Sequence, residues 1–174
     1  MEKSDHTLSR GQLQSTEIPT EKWKDVSLDF ITDLPESLNN FDSILTVIDK
    51  ATRMTHLIPC RKKITATETA QKFVDHIVRL HGVPRSIFTD RGTQFCSKFW
   101  QEMWKILGTS LKYSTAYHPQ TQGIVERMNA VIGQMLRCTL SSLERTRDWD
   151  LCLPTIELAI NSAPNRSTDR KSVV

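Results

Sequence analysis

The sequence predicts an α/β domain in which a mixed sheet carries helices on both faces. Three extended runs rich in β-branched residues follow one another between Trp23 and Cys60. Helical and strand-like patterns then alternate from Thr65 onward, which is how a mixed sheet with covered faces reads in a sequence. The length, 174 residues with 38% apolar, is enough for one continuous core and sets one domain as the default.

Residues 1–20 are polar, lack a hydrophobic period and end near Pro19, so they are assigned to an N-terminal arm or linker. In WKDVSLDFITDLP, Val26, Leu28 and Phe30 alternate with Ser27, Asp29 and Ile31, as in a buried strand ended by Pro35. FDSILTVIDK and THLIPC supply a hairpin and a third strand, giving an antiparallel start. TATETAQKFVDHIVRLHG has Thr and Glu at capping positions and Ala70, Phe73, Ile77 and Leu80 at helical spacing, and closes on Gly82. RSIFTD is a short strand after Pro84. TQFCSKFWQEMWKILG spaces Phe95, Phe99, Met103 and Leu107 four apart, with Gly108 as the stop. SLKYSTAY is strand-like, HPQTQG is a loop by composition, GIVERMNAVIGQMLRCTL is a long helix, and DLCLPTIELAINS is the last helix. The core domain is therefore drawn over 21–164, with 165–174 as a truncated tail.

The net charge of +3 permits contact with a polyanion without demonstrating it. Four cysteines without a Cys-x-x-Cys pair or a preceding secretion signal are expected as reduced thiols in an intracellular protein. They do not meet the five histidines at zinc-finger spacing. No apolar run approaches the roughly 20 residues that span a bilayer, so a soluble chain without a membrane partner is expected.

Three carboxylates carry the candidate chemistry. Asp29 lies inside an apolar strand, where an unpaired buried charge is costly; the bland reading is an edge-strand aspartate turned to water. Asp90 follows IFT at a strand's carboxyl end, where open α/β sheets place ligands, although an aspartate near glycine also serves turns and caps. Glu126 shares a helix face with Asn129, Ala130, Gly133 and Arg137, away from the apolar stripe of Val125, Met128, Ile132, Met135 and Leu136. Alone, it is an ordinary first-turn glutamate favoured by the helix dipole. Jointly, two strand carboxylates and one helix carboxylate can converge at one sheet edge and bind hard divalent cations through oxygen.

SLDFITDLP, FTDRGTQF and YHPQTQGIVERMN resemble the three catalytic blocks of integrases from retroviruses and gypsy-type LTR retrotransposons. The family spacing, Asp, Asp-35-Glu, is matched because positions 91 through 125 leave 35 residues between Asp90 and Glu126. The likeness runs from about Gly11 to Ser167 and takes in RLHGVP and ELAIN. It implies a ribonuclease H-like fold with a five-stranded mixed sheet. The implied enzyme is a polynucleotidyl transferase that processes DNA 3′ ends and transfers strands, with Asp29, Asp90 and Glu126 holding two Mg²⁺ or Mn²⁺ ions. By the same resemblance the partners are element-end and target DNA and further copies of the chain, as a homodimer or higher oligomer, and the location is the nucleus. His118, Gln122, Arg127 and Arg91 are the DNA-contact candidates, the first two on a mobile loop hinged by Pro119 and Gly123. The RKK run at 61–63 reads as a solvated turn, and Trp23, Trp100, Trp104 and Trp149 read as packing residues. The zinc module and the small DNA-binding domain that flank the core in this family are not in the sequence, and NRSTDRKSVV departs from the family's usual ending. The alternative function is accordingly a truncated or host-adopted remnant that keeps nucleic-acid binding without productive integration.

Overall fold

The alternation seen in the first strand places its two side-chain sets on opposite faces of one sheet. The structure is a computed structural model that describes residues 21–90, 95–113, 119–143, 147–165 and 170–171. The N-terminal arm, Arg91 and His118 lie outside these residues. β1 (Asp25–Ile31), β2 (Ser43–Asp49) and β3 (Thr55–Cys60) pair antiparallel in sequence. β4 (Ser86–Thr89) adds parallel to β1, and β5 (Ser110–Tyr113) adds parallel to β4. The order is β3-β2-β1-β4-β5, the expected mixed sheet of five strands.

Val26 and Leu28 join Leu45, Val47, Ile58 and Ile87 in a core covered by α1 (Ala66–Phe73) and α3 (Lys98–Ile106), through Ala70, Phe73, Trp100 and Trp104. The opposite face carries Ile31, Ile44 and Leu57. It is covered by α4 (Pro119–Leu143) through Ile132 and Leu136, and by α5 (Trp149–Ser162) through Trp149, Leu153 and Ile156. Burial of these apolar sets on both faces is the main driving force holding the layers together. All four tryptophans are buried, as the packing reading expects. A short antiparallel pair, β6 (Pro164–Asn165) with β7 (Arg170–Lys171), follows α5.

The structure corrects three expectations. The helix opened by Thr65 is interrupted: a π-helical stretch, Val74–Val78, separates α1 from α2 (Arg79–His81). The wider turn carries the chain around by about one residue, so Ile77 is buried while the expected core residue Leu80 is 58% exposed. Its start is as read, with Thr65 and Glu68 forming a reciprocal capping box and Gly82 closing the run at φ 80°. In α3 the core face is built on Trp100 and Trp104, with Met103 only partly buried and Leu107 44% exposed. Ser97 caps this helix, so Phe95 is buried ahead of it and the four-residue spacing counted from Phe95 is out of register. Finally, HPQTQG is not a loop throughout, because α4 begins at Pro119. Proline is well suited to a first helical position, where its missing N–H would have no intrahelical partner. Gly123 therefore lies within the helix rather than at the end of a loop.

The ELAIN segment has a structural job. Glu157 and Asn161 are one turn apart on α5 and reach the edge strand β3. Asn161 Oδ1 accepts from Thr55 N–H at 2.8 Å, its Nδ2 donates to Thr55 O at 2.9 Å, and Glu157 Oε2 accepts from Leu57 N–H at 2.8 Å. These side chains satisfy backbone groups that an edge strand otherwise offers to another chain. Glu157 Oε1 also lies 2.9 Å from His56 Nδ1, and His56 Nε2 lies 2.8 Å from His81 Nε2. A carboxylate only accepts, so His56 carries a proton on Nδ1 toward Glu157, and in the neutral ring its Nε2 accepts from His81. Trp23 stacks on His81 with centroids 3.8 Å apart.

This cluster sets a pH dependence. The His81 imidazole is held below its ordinary value of 6.5, first by burial and then by His56, with Asp49 opposing. A depressed histidine contributes stability at pH above its unfolded value, and that contribution is lost as pH falls through the window below about 6.5, because the unfolded chain then takes up a proton the folded chain resists. The melting temperature of the wild type should therefore drop from pH 7.5 to pH 5.5 by more than that of His81→Gln. Equal slopes in circular-dichroism melts would contradict the assignment.

Candidate active site

Because β1 and β4 run parallel, their carboxyl ends open at the same edge of the sheet. Asp29 lies near the end of β1, opposite Thr46 of β2, and by alternation it shares the face of Ile31, which α4 and α5 cover. Asp90 follows the last residue of β4 and is exposed. Glu126 is exposed on α4, and Asn129 stands one turn further along the same helix. Asn129 Nδ2 donates to Asp29 Oδ2 at 2.6 Å, which ties α4 to β1 at this point.

The Asp29 carboxyl is held above the ordinary carboxylate value. Burial is the main cause, and the negative charges of Asp90 and Glu126 push in the same direction. Hydrogen bonds from the Phe30 backbone and from Asn129 oppose the shift. Asp90 and Glu126 therefore lie within electrostatic reach of Asp29. Among the described residues, no three His, Cys, Asp or Glu side chains are gathered closely enough to hold a metal ion as they stand. The donor chemistry nonetheless suits a hard divalent cation, since all three are carboxylates and a cation would offset both the burial of the Asp29 charge and the repulsion that adds to it. Asn129 Oδ1, beside Asp29, is a further oxygen donor, buried and without a hydrogen-bond partner among the described residues.

Asn129 is the residue that sequence reasoning undervalued. Its place on the Glu126 face was readable from the helical period, but its bond to an aspartate 100 positions earlier was not. Arg127 is exposed next to Glu126, and Gln122 falls in the first turns of α4.

Residues 22–119 match the family model of the integrase core domain, and the chain belongs to that family. It is 33% identical over 158 residues to the transposon Tf2-3 and Tf2-4 polyproteins of Schizosaccharomyces pombe, an alignment covering 91% of this chain. The chain spans 12% of the length of these curated relatives. In fold it is similar to the HTLV-2 integrase catalytic core domain in complex with magnesium, in its trimeric form. The TM-score is 0.68 at 19% identity, covering 86% of this chain and 93% of that one. The simian T-cell lymphotropic virus intasome in complex with PP2A regulatory subunit B56 gamma gives a TM-score of 0.70 at 21% identity, over 91% of this chain and 54% of that one. The five-stranded mixed sheet with flanking helices is thus the ribonuclease H-like fold of integrase catalytic cores.

Proposed function

We propose that this integrase core is a divalent-metal-dependent polynucleotidyl transferase that processes DNA 3′ ends and joins them to target DNA, with Asp29, Asp90 and Glu126 as its catalytic acids. The observation that carries the reading is the placement of Asp29 and Asp90 at the neighbouring ends of parallel β1 and β4, with α4, which bears Glu126, tied to Asp29 through Asn129. These three carboxylates would hold the metal. Bound there, Mg²⁺ or Mn²⁺ supplies charge stabilisation and an activated oxygen nucleophile for displacement at phosphorus.

The chain's own contribution is positioning. β1 and β4 fix two carboxylates at parallel strand ends, α4 brings the third, and Asn129 holds the Asp29 carboxylate in one orientation. Arg127 stands exposed beside Glu126, where it can meet a phosphate. Gln122, Arg91 and His118 remain DNA-contact proposals made from the sequence. A second copy of the chain is an implied partner, since the similar HTLV-2 integrase catalytic core domain is described in both a dimeric and a trimeric form. A nuclear site of action follows from the same reading.

The test is joining of a labelled branched DNA by the full chain. Activity is expected with Mg²⁺ or Mn²⁺, absent with excess chelator and restored on adding metal back. Undiminished joining in chelator would overturn the metal-dependent reading.

A further inference from the structure

We propose that the pocket between the end of β3 and the first turns of α1 binds a nucleoside phosphate, either free or as an unpaired nucleotide at a DNA strand end. The base would rest on the apolar floor at Phe41 and Ile64, and the phosphate would meet Arg61, Lys63 and Lys72. The pocket has a volume of about 670 Å³, within the range of small-molecule sites.

Its lining divides by chemistry. Phe41 is half-buried, Ile64 and Cys60 are buried, and burial pushes the Cys60 thiol up to about 12, so the floor carries no charge at neutral pH. The Lys72 ammonium stands over the Phe41 ring, 5.5 Å from its centre, so a base settling on that face would meet the cation at once. Arg61 is oriented by its Nε–H, which donates to Asn40 O at 3.1 Å. Glu68 is the acid in this lining, and its Oε2 already accepts from the Thr65 amide at 2.8 Å and the Thr65 hydroxyl at 2.7 Å. Three cations facing one committed carboxylate leave a positive rim over an apolar floor. An aromatic base with an anionic tail complements both parts, whereas a bare anion leaves the floor unused and an apolar molecule leaves the cations unused.

The RKK run is the exposed turn that its composition suggests, and two of its members also line the pocket. Its middle member, Lys62, is engaged by Asp33, while Arg61 and Lys63 line the pocket. β3 is antiparallel to β2 and β2 to β1, so β3 and β1 finish at the same end of the sheet, two strands or about 10 Å apart, with Cys60 and Ile64 on the α1 face and Asp29 on the opposite face toward α4. Only the strand-end arm rests on the proposed function; binding of the free nucleotide does not.

The experiment is a titration of the full, isotope-labelled chain, followed by amide NMR shifts. The probes are deoxyadenosine 5′-monophosphate, deoxyadenosine and inorganic phosphate. The nucleotide should move the Phe41, Ile64 and Gln71 resonances and bind at least about tenfold more tightly than either fragment, since only it engages both halves of the pocket. Lys63→Gln/Lys72→Gln, at surface positions that leave the fold intact by circular dichroism, should weaken it about tenfold or more. Phe41→Leu should selectively reduce its advantage over phosphate. Phosphate binding as tightly as the nucleotide, shifts centred elsewhere, or unchanged affinity in the double variant would overturn the proposal. Competition by a 5′-overhanging oligonucleotide would identify a strand end as the source, and its failure with nucleotide binding intact would identify the free nucleotide. Failed nucleotide binding with intact DNA joining removes this inference alone, and the converse removes the proposed function alone.

Discussion

Trp104→Ala is expected to lower the unfolding free energy by about 3–5 kcal/mol, the range for deleting a large buried aromatic side chain. Trp104 is fully buried between α3, α1 and the sheet, with Phe73 edge-on at 5.1 Å and Trp100 at 5.4 Å. Its indole N–H has no hydrogen-bond partner among the described residues, so its contribution is packing rather than polar anchoring. Trp104→Phe keeps an aromatic ring against Phe73 and loses no hydrogen bond, and should cost less than half as much. Urea unfolding of the three proteins checks this, because a shift in midpoint at constant slope reports stability directly. Equal losses for the two variants would contradict the packing account. A normal midpoint for Trp104→Ala would do so as well.

The central sheet was readable because its strands carry alternating or continuous apolar runs, and β1 to β3 fall where the runs in WKDVSLDFITDLP, FDSILTVIDK and THLIPC place them. The faces of α4 were readable for the same reason, with Ile132 and Leu136 inside and Glu126 outside. What the period could not show was a change of period. The π-helical stretch at Val74–Val78 turns Leu80 to solvent and brings His81 against Trp23, an arrangement fixed by tertiary contacts rather than by local pattern. Composition misled at HPQTQG, where polar residues that suit a loop continue a helix whose first residue is proline. The side-chain bonds of Glu157 and Asn161 to β3, and of Asn129 to Asp29, join positions about 100 residues apart and leave no local trace. Asp29 was conspicuous because it stands in an apolar strand, and the assembled sheet sets it and Asp90 near the ends of the parallel strands β1 and β4.

Removing one charge from the acidic group should separate activity from stability more sharply than any other change. Asp29→Asn, Asp90→Asn and Glu126→Gln are close to isosteric and leave no cavity. Because Asp29 is already pushed upward by burial and by the charges of Asp90 and Glu126, neutralising one partner relieves repulsion. Each variant should therefore melt at or slightly above the metal-free wild type. Mg²⁺ should raise the melting temperature of the wild type by binding the folded state preferentially, and should do so less in each variant. Transition-state stabilisation depends on the carboxylates acting together, so joining should fall about a thousandfold or more with any one of them removed.

The central claim is tested most directly by the rate at which folded Asp90→Asn and Glu126→Gln chains join a labelled branched DNA in Mg²⁺, with circular dichroism recorded on the same samples. The expected result is joining by the wild type and none detectable by either variant at matched fold. A folded variant that joins DNA at the wild-type rate would contradict the assignment of the acidic group as the active site.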